Sequence, residues 1–400
     1  MTKQRSKTSI AVNAVVSQPA FSAPLRRASA NNKHWTWGSD NQLPYVLAVM
    51  SRNVISHRRI INDKADYISG KGFLCDENAV DLQAFIDLAN GNGESLRQVF
   101  NKIAYDKVLF GNAFMEVVTD AKRSFLNVYH QDATKCRVAA DSEHIVLHHN
   151  WMENSTAEQR ELPIYPLFEQ SEDGFHRSII HFKDYEPMFD HYGVPTYIAG
   201  MGVSAIAYKT DRWNISRLDN SYQMSGVMML DVETETEEEL ERLQKTAEER
   251  FAGKPGQILF VMKDSSDSGN DSKFIPITSD NDGDWEQLHD QVLGDIVIAH
   301  SWFRALSGMD YSTGFSTDRI LMEYEVALNT VILPEQSEML EPIKTVIADI
   351  LRLDTTTLAV VNKPPVTLKP NYMRVWEARK ADGLDYDPED QTQQMYISQL

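Results

Sequence analysis

The chain has 400 residues, 42% hydrophobic and 10% aromatic, and carries a formal net charge of -19. That length can bury a sizeable core in two or three domains. The acidic balance excludes tight wrapping of nucleic acid, which takes many Lys and Arg contacts to phosphate, but it is compatible with DNA sliding past an acidic wall. The two cysteines, Cys75 and Cys136, exclude a disulfide scaffold and a four-cysteine zinc site. No apolar run approaches the roughly 20 residues of a membrane span. No signal-peptide apolar region stands at the N-terminus. The expectation is a soluble protein made in a reducing cytoplasm.

Residues 1–33 hold few large apolar side chains, and their charges are all positive: Lys3, Arg5, Lys7, Arg26, Arg27 and Lys33. They read as a disordered basic arm, in the first instance a solvated tail. Order is expected from WTWGSDNQLPYVL. Asp40 or Asn41 can cap a helix whose first turn holds Pro44, and Leu47, Met50, Val54, Ile61, Ala65 and Ile68 keep its spacing up to Gly70 and Gly72. ESLRQVFNKIAYDKVLF predicts a second amphipathic helix. Strands are expected in GNAFMEVV, FLNVYH and HIVLHHNW, so this half is mixed α/β.

From Val194 the pattern turns helical. In PTYIAGMGVSAIAYKTDRWNISRLDNSYQ, Ile206 and Trp213 form one series, while Tyr208, Ile215 and Tyr222 form another on a different side. A helix apolar on two sides needs neighbours on two sides. GVMMLDV, QILFVM and KFIPIT predict strands around an acidic helix, TETEEELERLQKTAEERF. DWEQLHDQVLGDIVIAHSWF predicts a helix with Trp285, Leu288, Val292, Ile296, Ala299 and Phe303 on one face. After the glycine-rich loop SGMDYST, a long helix begins near Ser316, Thr317 or Asp318. Its stripe is Ile320, Tyr324, Ala327 and Val331, with Leu321, Leu328 and Ile332 beside it. Pro334 is expected to bend it before Met339, Leu340, Ile343, Ile347 and Leu351.

Catalytic signals are weak. FAGKPGQ lacks the spacing of a phosphate-binding loop. Asp280, Asp282 and Asp284 have calcium-loop spacing, but Trp285 and Gln291 stand where that loop needs Gly and Glu, so a solvated cap is the better reading. His148 and His149, in a strand, point to opposite faces and do not readily share a metal. The run Glu233 to Glu241 is either a solvated face or a docking surface for a basic partner.

Four stretches, taken in order, resemble the portal proteins of tailed bacteriophages, the head–tail connector family. They are WGSDNQLPYVLAVMSRNVISHRRIINDKADYISGKGF, VLFGNAFMEVV, HFKDYEPMFDHYGVPTYIAG and ALNTVILPEQSEMLEPI. Order and spacing from Trp35 to Leu351 carry the resemblance, not any one motif. It implies an α+β, portal-like subunit. Its parts are an α/β wing (34–195), a first stem helix (196–224), a small α/β clip (225–280), a second stem helix (281–304) and a tunnel loop (305–317). A kinked tunnel helix (318–352) returns to the wing, and residues 353–400 form only a short crown-like region or tail.

The same resemblance implies a non-enzymatic ring, typically a dodecamer, at one capsid vertex of the virion, assembled in the host cytoplasm. Double-stranded DNA passes through it non-specifically during packaging and ejection, with no cofactor, metal or membrane involved. The partners implied are the terminase large subunit, a head–tail adaptor, and the major capsid or scaffolding protein. Gly308, Met309, Asp310, Tyr311, Ser312, Thr313 and Gly314 would face the channel. Glu237, Glu238, Glu239, Glu241, Asp264, Asp267 and Asp271 would form the clip's partner surface. Ile206, Tyr208, Trp213, Ile215 and Tyr222 would join neighbouring subunits. The alternative reading is a hydrolytic enzyme whose acidic loops hold a divalent metal.

Overall fold

The protein is described from a computed structural model, over residues 33–38, 40–151, 159–219, 226–232, 242, 258–264, 273–276, 282–309, 317–366, 374–381, 384–390 and 392–395. In chain order its elements begin with α1 (Leu43–Asn53), α2 (Ile55–Ser69), β1 (Phe73–Leu74), α3 (Val80–Asp87) and α4 (Leu96–Phe110). The strands β2 (Asn112–Thr119), β3 (Asn127–Gln131), β4 (Cys136–Val138), β5 (His144–Leu147), β6 (Arg160–Pro163), β7 (Glu169–Gln170) and β8 (His176–Lys183) follow. Then come α5 (Met201–Asp219), β9 (Gly226–Val232), β10 (Ile258–Asp264), β11 (Lys273–Pro276), α6 (Asp282–Ala299), α7 (Thr317–Ala327), α8 (Leu333–Leu351), β12 (Ala359–Val360) and α9 (Val375–Ala381).

The chain divides into two compact units. The first comprises residues 1–48, 81–195 and 346–353; the second comprises 49–80, 196–345 and 354–400. In the first, β2 is central to a sheet of order β3-β2-β8-β7, and β4-β5-β6 form a second, antiparallel sheet. The helix α4 starts where the Ser95 side chain and Gln98 cap each other's backbone N–H, and it ends at Gly111 in the left-handed region (φ 66°). It packs on the sheet through Leu96, Val99, Phe100 and Ile103, which are buried. All eight residues of β2 are buried. A strand covered on both faces cannot alternate apolar with polar. Its three polar members are therefore satisfied inside, Thr119 by donating its hydroxyl to the Phe125 carbonyl (2.6 Å). Glu116 accepts from Arg160, Arg177 and Gln131, and the Asn112 amide donates to the Phe110 and Gly193 carbonyls.

A tight crossing closes this unit. The Asn112 side-chain oxygen Oδ1 accepts from the Gly193 N–H (2.8 Å) and from His181 Nε2 (2.9 Å), and the Asp184 N–H donates to the Gly111 carbonyl (3.0 Å). A Cβ at Gly193 would lie 2.2 Å from the Gly111 oxygen, and one at Gly111 would lie 2.5 Å from the Val194 carbonyl carbon. Below it, Lys107 reaches the Asp184 carboxylate. The stretches VLFGNAFMEVV and HFKDYEPMFDHYGVP are thus two halves of one joint.

In the second unit, β9 is central to a three-stranded sheet, parallel to β10 and antiparallel to β11. The main core gathers Val54, Ile60, Val292, Ile296, Trp302, Leu306, Met309, Ile320, Tyr324, Ala327 and Ile332. The Gln336 amide ties α8 to the end of α2, donating to the Ile68 carbonyl (2.9 Å) and to Asn362 (2.8 Å).

Two helical expectations are corrected. The helix expected from Pro44 to Gly70 is two helices. Val54 takes extended backbone (φ -114°, ψ 110°) and buries its side chain in the core, a conformation that suits a β-branched residue. Ahead of Pro334 the chain does not simply bend. Residues Leu328–Ile332 form a π-helical segment, and the Leu333 N–H donates to the Leu328 carbonyl. The wider turn accommodates a proline that has no N–H and crowds the preceding turn. The Asn329 and Thr330 side chains donate back to the carbonyls of Glu325 and Val326, one turn earlier.

Gly193→Ala is expected to destabilise the protein by at least ~3 kcal/mol, since backbone rather than a movable side chain blocks its Cβ. Gly174→Ala, with open space but φ +84°, should cost only about 1 kcal/mol. Urea midpoints of the two variants compare them directly; equal losses would show that the crossing is not tight.

Candidate functional site

The base of the glycine-rich loop is built in the second unit. Past α6 the chain turns through Trp302, whose indole N–H donates to the Ser307 hydroxyl (3.0 Å), and Ser307 in turn hydrogen-bonds Asp63 on α2. Gly308 ends the short turn Ala305–Ser307 in the left-handed region (φ 66°) and is exposed. Glu323 on α7 holds the turn from the far side, accepting from the Ala305 N–H (3.0 Å) and from Arg319 Nε (2.9 Å). Met309 does not face outward, as the sequence suggested. It is 8% exposed and belongs to the core with Trp302 and Leu306. Residues flanked by glycine read as loop, but an apolar side chain at a loop root is more stable buried. Asp310, Tyr311, Ser312, Thr313 and Gly314 lie outside the described residues.

Directly before this turn sits a buried imidazole pair. His57 Nδ1 and His300 Nε2 are 2.8 Å apart, Tyr197 stacks on His300 with centroids 4.7 Å apart, and Lys64 donates to the His300 carbonyl (3.0 Å). The outer nitrogens, His57 Nε2 and His300 Nδ1, have no hydrogen-bond partner among the described residues. Burial lowers the His57 pKa to about 4. It holds His300 well below its usual value, with His57 and the Lys64 ammonium adding to the depression. The pair is therefore a neutral lock on the end of α6. Sequence reading missed it, although His57 lies on the same stripe as Val54, Ile61 and Ala65 and so carried a detectable signal.

The stem residues divide. Tyr208 packs against the core with Val203 and Ala207, while Ile206 and Ile215 are exposed at 44% and 52%. Within one series, then, Tyr208 meets the core of its own chain and Ile215 does not. Trp213 lies on α5, and Tyr222 lies outside the described residues. Further apolar side chains stand exposed on neighbouring helices: Ile298 on α6, Met322 and Val326 on α7, and Leu333 at the start of α8. Glu237, Glu238, Glu239, Glu241, Asp267 and Asp271 lie outside the described residues; Asp264 ends β10 opposite Val232. Asp282 and Asp284 fall in the first turn of α6, so their backbone is helical and not that of a calcium loop. His148 and His149 follow β5 rather than lying in it, His148 buried and His149 exposed. No helix of the described residues is long and apolar enough to cross a membrane.

Residues 82–267 match the family model described as phage portal protein. No curated protein sequence matches the chain. Among solved structures, a chain of the virion of a native gene transfer agent particle superposes with a TM-score of 0.53 at 14% identity, covering 86% of this chain and 94% of that one. A chain from the neck of an empty gene transfer agent particle, computed with C6 symmetry, gives 0.52 at 13% identity, with the same coverage. An HK97-family phage portal protein from Corynebacterium diphtheriae gives 0.47 at 9% identity, covering 80% and 96%.

Between unfolded and folded chain the His57 pKa falls from 6.5 to about 4. Between those values the unfolded chain binds a proton that the folded chain does not. Stability is thus full above pH 6.5 and declines as pH falls toward 4, by on the order of 3 kcal/mol from this residue. Urea midpoints measured from pH 7 to pH 4 should show that decline. The double variant His57→Leu, His300→Leu should flatten it; an unchanged slope would place the acid sensitivity elsewhere.

Proposed function

Since residues 82–267 match the phage portal protein family, we propose that the chain is a member of it and forms the ring-shaped channel at one capsid vertex through which DNA is packaged and ejected. The family match over residues 82–267 carries the reading. Three features of the chain support it. The exposed Ile206, Ile215, Ile298, Met322, Val326 and Leu333 put apolar side chains in water on four helices of one unit. Contiguous apolar surface is costly on a free monomer, and a head-to-tail contact between copies covers it and closes into a ring. The similar neck chain comes from a particle computed with C6 symmetry, compatible with a ring of twelve. Residues 34–400 carry 58 acidic and 33 basic side chains, a net -25 against +6 for the arm, and an acidic channel would let DNA slide without sticking.

In this reading residues 310–314, carried between the anchored Met309 and α7, touch DNA without reading its sequence. The clip, through Glu237, Glu238, Glu239, Glu241, Asp264, Asp267 and Asp271, docks the terminase large subunit during packaging and a head–tail adaptor afterwards. The wing meets the major capsid or scaffolding protein, and the ring sits in the virion after assembly in the host cytoplasm. Phosphoryl chemistry belongs to the terminase, not to this chain. A divalent-metal hydrolase is the competing reading; tight stoichiometric binding of magnesium, calcium or zinc in calorimetry would favour it.

Negative-stain images and light scattering of the purified full chain should show annular particles. Met322→Glu with Val326→Lys should abolish them while leaving the melting temperature of the subunit nearly unchanged, because both side chains are solvent-exposed within one chain. Rings that survive the pair of charges would remove α7 from the subunit contact.

Two further variants test the channel and the clip in a packaging assay. Deleting residues 310–314 should leave rings intact and lower DNA packaged per particle several-fold. Lysine at positions 237, 238 and 239 should weaken terminase capture, since exposed charges govern encounter. Failure of the deletion variant to form rings would show the loop to be structural.

A further inference from the structure

Between β8 and Gly193 the first unit projects the loop Asp184–Asp190. Its tip holds Tyr185 and Met188, 89% and 81% exposed, among the most exposed large apolar side chains described. The tip is not a slack strand. Lys183 Nζ donates to the Asp190 carbonyl (2.6 Å), the Phe189 N–H donates to the Glu186 carbonyl (3.1 Å), Lys107 holds the Asp184 carboxylate, and the Gly111–Gly193 crossing closes the loop's far end. Met188 sits at φ 72°, a left-handed conformation that a side chain with a Cβ rarely adopts. A fixed base thus presents two apolar side chains to water, flanked by the exposed acids Glu186 and Asp190.

The second unit contains a cavity of about 200 Å³. Tyr67, Tyr324, Leu306 and Pro365 line it, and the exposed Lys71 and Lys363 stand at its mouth. The Lys71 N–H donates to the Val361 carbonyl, which sets the two lysine-bearing segments side by side. Asp66 shares the mouth, while Arg59 is bound to Asp63 at 2.9 Å. The cavity is smaller than the roughly 300–1,000 Å³ of small-molecule sites. It is close to the ~150 Å³ that holds a single benzene ring. Its contents should therefore be one side chain, and two tyrosines suit a thioether.

We propose that the tip of one copy seats Met188 in this cavity of the next copy, with Tyr185 against the rim and Glu186 facing Lys71 and Lys363. The proposal rests on the ring inferred above and names one contact that holds it. Lysines at the mouth and acids at the tip give the charge complementarity. A tip already held rigid loses little freedom on docking. The contact is heterologous, knob on one surface and hole on another, which is the kind that closes into rings.

The test uses the full chain with Cys75→Ser. One preparation carries Glu186→Cys and a second carries Lys363→Cys; they are mixed, allowed to assemble and oxidised. Peptide mass spectrometry should find the 186–363 disulfide, which in the mixture can form only between copies. In parallel, Met188→Ser with Tyr185→Ser should raise the concentration at which rings dissociate at least tenfold without moving the subunit's melting temperature. Glu186→Lys should weaken rings, and Lys363→Glu should restore them. Rings that form with no 186–363 link and unchanged dissociation overturn this contact and leave the portal reading standing. A monomeric unmodified chain overturns both.

Discussion

Gly111 and Gly193 touch because neither has a side chain, and the arrangement of the first unit follows from that closeness. The Gly111 carbonyl receives the Asp184 N–H while Asn112, one residue on, spends both ends of its amide on the backbone of Gly193 and Phe110 and on His181. One joint therefore sets where α4 stops, how β2 and β8 are aligned at their ends, and where the chain leaves the unit after Pro195. Burying the Asn112 amide is tolerable only because its donors and acceptor are used. A single partner lost there would leave a buried polar group unsatisfied.

Other buried polar groups follow the same rule with different chemistry. Arg137 is fully buried, and its guanidinium donates to Asn41 and to the carbonyls of Thr134 and Cys136, beside the rings of Trp37 and Trp151. Those partners fix the segment before α1, where Asn41 takes a left-handed conformation (φ 63°). Burial lowers the pKa of Arg137, and it lowers that of nearby His34 to about 4 with help from the Arg137 charge. In the second unit the His57–His300 pair does comparable work without any charge. Such groups specify one arrangement more than they add stability.

What could be read from the sequence was what local rules decide. Ser95, Gln98 and Gly111 announce both ends of α4, and the apolar run after Gly111 announces β2. The portal resemblance held through the family match and the fold. The strands β4, β6 and β7 went unread because two to four residues give no period to count, and β8 because His176–Lys183 mixes polar and apolar side chains along its length. The division at Val54 carries no Pro or Gly and is set by tertiary packing. Met309 was misplaced for a related reason: flanking glycine and polar residues speak for a loop, while one apolar side chain among them speaks only through the core it joins.

The π-helical segment before Pro334 has a consequence for how this helix can change in length. At about 100° per residue, Met339 lies roughly 120° round from Ala327, yet both are buried. Counting one residue fewer brings the offset to about 20°, so the segment absorbs one surplus residue and keeps the two stripes in phase. Loss of that residue alone would straighten the turn and set Pro334 against an ordinary α-helical carbonyl. The segment thus lets the helix carry a surplus residue ahead of Pro334 while both stripes stay in the core.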